Sequence, residues 1–144
     1  MTALLDVNVL IALAWPNHVH HDAARAWFDQ LGPDGWATCP FTEAGFVRVS
    51  CNQSVVGQAV TPQDAIAVLD SLTRLGVHDF WPVDQPIMRL PESVAARLQG
   101  YRQITDANLL MTAMQRGGQL ATLDSGMEDL LAEDDRSSLC VIPV

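Results

Sequence analysis

The run Ala3-Leu4-Leu5-Asp6-Val7-Asn8-Val9-Leu10-Ile11-Ala12-Leu13 is too apolar to lie on a surface, yet it carries a carboxylate. Asp6 and Asn8 are its only polar residues. An isolated buried carboxylate costs several kcal/mol unless a hydrogen-bond donor, a cation or a metal ion compensates it. The run also divides into two elements. Thr2 to Leu5 reads as a short buried strand, and Val7 to Ala14 as a helix that stops near Trp15-Pro16. Asp6 then stands at the junction, where a strand's end meets a helix's start.

The same alternation continues. His20 to Leu31 is expected as a helix, with Ala23, Ala24, Trp27, Phe28 and Leu31 on one face, before the turn Gly32-Pro33-Asp34-Gly35. Trp36 to Thr38 is a candidate strand, and Thr42 to Ser50 a helix carrying Glu43 in its first turn. Thr61-Pro62 opens the next helix, Thr61 as N-cap and Pro62 in the first position, and Gly76 closes it. His78 to Val83 reads as a strand, and Pro86 to Leu98 as helix broken by Pro91. Thr105 to Arg116 has the best helical spacing, closed by Gly117-Gly118. Gln119 to Leu123 is a strand leading into Asp124. Met127 to Ala132 forms helical turns, Glu133 to Ser138 a solvated loop, and Leu139 to Val144 a last strand. Short apolar strands alternating with helices indicate an α/β domain with a mainly parallel sheet.

At 144 residues, 49% hydrophobic and 17% charged, the chain suits one globular domain, 1–144. No apolar run is long enough to span a bilayer. The opening run lacks a preceding basic residue and a following cleavage site, so it reads as mature structure in a cytoplasmic protein. The net charge is -9 and every basic residue is Arg. That acidity disfavours coating of nucleic acid but permits a small metal-bridged contact, and it suits a basic partner. Without lysine there is no Walker-type phosphate loop. Cys39, Cys51 and Cys140 form no metal-binding pair and read as reduced thiols.

In open α/β sheets, ligands bind beyond the carboxyl ends of the strands. Asp6 ends the first strand, and Asp124 follows the strand at Gln119 to Leu123. Glu43 and Asp106 open helices beside the same layer. Crowded carboxylates repel, and a hard divalent cation is the usual remedy. At these residues the chain resembles the PIN-domain ribonucleases, and most closely the VapC toxins. The pieces are Leu5 to Leu13, Thr42-Glu43-Ala44-Gly45-Phe46-Val47-Arg48-Val49, Ile104-Thr105-Asp106-Ala107-Asn108-Leu109-Leu110 and Leu120-Ala121-Thr122-Leu123-Asp124, in the family's order.

The resemblance implies a PIN-like three-layer α/β/α sandwich with a mainly parallel central sheet. It implies that Asp6, Glu43, Asp106 and Asp124 hold Mg²⁺ or Mn²⁺, with Asp6 and Asp106 as direct ligands and Asn8 and Thr122 supporting them. It further implies a toxin endoribonuclease that cuts structured RNA, a tRNA or rRNA, by metal-activated water, leaving a 5′-phosphate and a 3′-hydroxyl. The partners implied are a VapB-type antitoxin, a second copy in a homodimer, and a toxin–antitoxin hetero-oligomer. Arg48, Arg102 and Arg116 are candidates for phosphate contacts.

Each acid has a plainer reading. Asp6 alone reads equally as a helix cap. Glu43 and Asp106 sit where acids favour the helix dipole, and Asp124-Ser125-Gly126 is a good turn. It is their joint order that points to a site. His18, His20, His21 and Asp22 read as surface or helix-start residues in preference to a metal site. Two further functions stay open: a non-catalytic regulatory subunit acting through its antitoxin, and a metal-dependent phosphoesterase or DNA nuclease.

Overall fold

The computed structural model describes residues 1–144. Its centre is one sheet of five short strands: β1 (Ala3–Leu5), β2 (Trp36–Thr38), β3 (His78–Phe80), β4 (Gln119–Thr122) and β5 (Leu139–Val141). Their spatial order is β3-β2-β1-β4-β5 and every neighbouring pair is parallel. In β1, Leu4 pairs with Ala37 on one side and Leu120 on the other.

A parallel sheet must be covered on both faces. Alternation along the strands supplies two cores. Ala3, Leu5, Trp36 and Ala121 enter one, beneath α1 (Val7–Ala14), α2 (His21–Phe28), α3 (Pro40–Ser50), α4 (Gln53–Val56) and α5 (Pro62–Leu72). Leu4, Ala37 and Leu120 enter the other, beneath α6 (Glu92–Ala95) and α7 (Ile104–Gln115). The architecture is the three-layer α/β/α sandwich expected. No helix is long and apolar enough to cross a membrane.

The connections position everything that follows. The chain lays β2 and β3 outward on one side of β1, then returns to place β4 on the other side. The direction of winding therefore reverses between β1 and β4. The crevice outside the carboxyl ends of such a pair is where doubly wound sheets hold ligands.

Several boundaries differ from the sequence reading, each for a local reason. Thr42 does not start its helix: α3 begins at Pro40, and the Thr42 hydroxyl reaches back to accept the Cys39 N–H at 3.0 Å. Thr42 is thus the inner half of a capping box. Thr61 and Pro62 behave as expected, the Thr61 hydroxyl accepting the Asp64 N–H at 3.1 Å. That helix ends at Leu72, ahead of Gly76. The helix expected to reach Leu31 ends at Phe28. The Pro86 to Leu98 stretch splits into a 3₁₀ turn at Ile87–Arg89 and the short α6, because Pro91 breaks the ladder between them. The expected strands at His78 and Leu139 stop at Phe80 and Val141. The loop at Glu133–Ser138 is wound into 3₁₀ turns, and the Cys51 to Val60 region holds α4.

Candidate functional site

Asp6 does two things at once. As N-cap of α1 its Oδ1 accepts the Val7 N–H at 2.7 Å. Its Oδ2 accepts from the Thr122 hydroxyl at 2.8 Å, across the β1–β4 junction. The Asp6 N–H also donates to the Ala121 carbonyl at 2.9 Å, so main chain and side chain are both tied to β4. Thr122 is the hub. Having donated its one hydrogen to Asp6, its oxygen accepts from the Asn8 side-chain amide and from the Asp124 N–H, both at 3.1 Å. Asn8 completes the lattice, its Oδ1 accepting the Leu123 N–H at 3.1 Å. Asp124 closes the next turn by accepting the Gly126 N–H at 2.8 Å.

Asp6, Asp106 and Asp124 line one open pocket of about 340 Å³, together with Asn8, His18 and the apolar Val7, Ile11, Val49, Val55 and Met127. Asp106 arrives from the first turn of α7, the helix that leads down to β4. Its carboxyl is pushed up to about 6, chiefly by desolvation and then by the negative charges of Asp6 and Asp124. Asp6, 7% exposed, is raised as well, by burial first. The Thr122 and Val7 hydrogen bonds pull it back, and Asp124 raises it. No ion pair of the molecule involves any of the three.

This is a pocket of uncompensated negative charge. No three His, Cys, Asp or Glu side chains stand close enough to form a complete ligand cage. The oxygen donors still suit a hard ion such as Mg²⁺, which takes one or two carboxylates and completes its shell with water and substrate oxygens.

Glu43 stands in the first turn of α3. It does not line the pocket. Its Oε2 accepts from the Thr38 hydroxyl at 2.7 Å, and the Thr38 Oγ1 also meets His78 Nε2 at 2.8 Å. Thr38 has one hydrogen, given to the carboxylate, so His78 donates to it and carries its proton on Nε2. Burial lowers the His78 pKa, with Glu43 and Asp79 opposing.

Of the arginines singled out, Arg102 precedes Asp106 by one turn and lies over the Tyr101 ring, 5.7 Å from its centroid. Arg48 is exposed on α3 and makes no ion pair. Arg116 is misplaced for the role given it. It sits at the other end of α7, facing Asp84 at 3.9 Å and donating to the Pro82 carbonyl at 3.2 Å. The residue missed is His18, read as surface and found in the pocket wall.

A family model for the PIN domain matches residues 3–131. Ribonuclease VapC39 of Mycobacterium tuberculosis is 50% identical over 129 residues, covering 90% of this chain and 93% of that protein. Ribonuclease VapC38 of the same species is 44% identical over 142 residues, covering 99% of each. The crystal structure of PAE2754 from Pyrobaculum aerophilum has the same fold, with a TM-score of 0.57 at 20% identity, covering 96% of this chain and 83% of that one. With a PIN-domain match over most of its length and VapC ribonucleases as relatives across nearly all of it, the chain belongs to the PIN-domain family, in its VapC branch.

Proposed function

We propose that this chain is the toxin of a type II toxin–antitoxin pair and cleaves structured RNA, a tRNA or ribosomal RNA, with the aid of Mg²⁺ or Mn²⁺. One observation carries the reading: Asp6, Asp106 and Asp124 line a common pocket with no Lys or Arg side chain in its wall, and burial, with the charges of Asp6 and Asp124 added, pushes Asp106 up to about 6. Asp6 and Asp106 would hold the ion, with Asp124 beside them. When bound, the ion neutralises the scissile phosphate's developing charge and lowers the pKa of a water. Thr122 keeps Asp6 aimed by donating to its Oδ2, and Asn8 steadies Thr122 by donating to the hydroxyl oxygen. Asp124, which lines the pocket, or Glu43, engaged by Thr38 on the neighbouring strand, orients the attacking water or takes its proton. An attacking water in place of the RNA 2′-hydroxyl leaves a 5′-phosphate.

A VapB-type antitoxin fits the other side of the same reading. Leu13 and Ala14 of α1 with Ala67, Val68 and Leu72 of α5 and the following Leu75 line an open, mostly apolar groove of about 380 Å³. An amphipathic segment of a basic partner would cover it and reach the acidic pocket. Exposed Ile66 on α5 and Phe41 on α3 support a homodimer through those helices.

The test is direct. Purified parent protein with Mn²⁺ is expected to cut RNA to 5′-phosphorylated fragments. EDTA, Asp6→Asn and Asp106→Asn are each expected to abolish cutting while the circular dichroism spectrum stays that of the parent. Cleavage by Asp106→Asn at the parent's rate would defeat the mechanism, and cleavage of DNA in preference to RNA would favour the other nuclease reading.

A further inference from the structure

His18 lies in the short link between α1 and α2, and that link is pinned from several directions. The His18 N–H donates to the Trp15 carbonyl at 2.9 Å, and the Asn17 side-chain amide donates to the Val56 carbonyl of α4 at 2.9 Å. On the following helix His21 Nδ1 meets the Ala12 carbonyl at 2.7 Å, so that ring must carry its proton on Nδ1. His18 is the reverse case. Its Nδ1 accepts the His20 N–H at 3.0 Å. A ring nitrogen that accepts is unprotonated, so the His18 imidazole is neutral and carries its hydrogen on Nε2. Desolvation, and then the two neighbouring histidines, lower its pKa, which favours the same state.

The pocket that His18 lines otherwise consists of three carboxylates, five apolar side chains and Asn8. Asn8 is already engaged with Thr122 and Leu123. Carboxylates repel a phosphodiester, and apolar side chains cannot bond to it. Asn8 gives one of its two amide hydrogens to Thr122, whereas the ring Nε2–H of His18 has no partner at all and is a group in this wall chemically suited to a phosphate oxygen. No ion pair joins it to the carboxylates.

We propose that His18 is a substrate-contacting residue, its Nε2–H donating a hydrogen bond to a phosphodiester oxygen of the RNA seated in the carboxylate pocket. The contact rests on the nuclease reading above and adds to it a residue outside the acidic set. A neutral ring gives a hydrogen bond and keeps its proton. His18 thus binds and positions, and the leaving 3′-oxygen takes its proton from solvent.

Two substitutions separate this from a structural role. In His18→Asn, the side-chain oxygen can still accept the His20 N–H, as Asx turns do, but the reach of Nε2 is gone. In His18→Gln, the side-chain amide restores an N–H at about the position of Nε2. With a fluorogenic RNA oligonucleotide and Mn²⁺, His18→Asn is expected to lose about 10- to 100-fold in kcat/KM, the usual effect of removing one donor to a charged group. His18→Gln is expected to regain most of it. Mn²⁺ affinity, read by electron paramagnetic resonance without RNA, is expected to be unchanged in both.

Parent-like cleavage by His18→Asn overturns the proposal, and so does a loss of Mn²⁺ affinity, which would make His18 a metal ligand. Equal loss in both variants with lowered thermal stability overturns it in favour of a structural role. If the parent cuts no RNA, the nuclease reading fails on its own. The contact is then decided by ¹⁵N spectra of the histidine rings with the same oligonucleotide and Ca²⁺. A shift of the His18 Nε2 resonance sustains it, and an unmoved resonance ends it.

Discussion

A single hydroxyl organises the acidic pocket. Thr122 gives its hydrogen to Asp6 and accepts from Asn8 and Asp124, so its loss strands a buried carboxylate oxygen. Thr122→Val is expected to cost about 2–3 kcal/mol in urea unfolding, and Thr122→Ser much less, because a buried charged acceptor without its donor bears the desolvation penalty. Asp106 acts in the opposite direction. Its folded pKa, about 6, lies above the ordinary 3.8, so the folded chain keeps a proton that the unfolded chain has released. Stability from this group is full below the ordinary value and falls as pH rises toward 6. Asp106→Asn is therefore expected to raise the thermal midpoint of the metal-free protein at neutral pH. A gain of about 2–4 °C corresponds to about 1 kcal/mol after allowance for the half-exposed carboxyl. Calorimetry should show that gain vanish as the pH is lowered toward 4. A gain that persists there would mean that charge repulsion is not its cause.

At the scale of elements, α1 and α3 approach closely because Gly45 has no side chain. A Cβ there would lie 2.5 Å from Val7 Cγ2. Gly45→Ala is expected to destabilise by about 1–3 kcal/mol, the usual cost of overpacking. Adding Val7→Ala should recover part of it in a double-mutant cycle. Because Val7 adjoins Asp6, the single variant should also disturb the pocket. The alternating elements were readable from their apolar spacing, and so was the polar interruption at Asp6 and Asn8. Helix ends were less so. Thr42 reads from the sequence as the first residue of its helix and is the inner half of a capping box two residues further in, a distinction that depends on which partner the hydroxyl meets. Residue type marks Glu43 as an acid of interest but does not show that the Thr38 hydroxyl of β2 engages one of its oxygens. The histidines near α2 looked like surface, but the Asn17–Val56 bond folds their link against the pocket wall. Contacts between segments so far apart leave no local pattern.

For the whole molecule, net charge and cation supply limit how RNA can be held. Four of the eight basic side chains, Arg25, Arg74, Arg116 and Arg136, already face acids. Few remain for phosphates, so binding of an RNA oligonucleotide should depend weakly on salt. A log–log slope of about −2, from two or three neutralised phosphates, is expected. A slope steeper than about −4, measured by fluorescence anisotropy with Ca²⁺ present, would reveal a basic track that this surface does not offer. The winding of the sheet has a further consequence, in the time order of synthesis. β1 is the first strand made and the central one, yet its edge toward β4, and with it Thr122 and Asp124, is supplied by the last quarter of the chain. The carboxylate pocket therefore cannot exist in a nascent chain, whatever its earlier segments have folded into. A chain of this design finishes its acidic site only once Thr122, 116 residues downstream of Asp6, has left the ribosome.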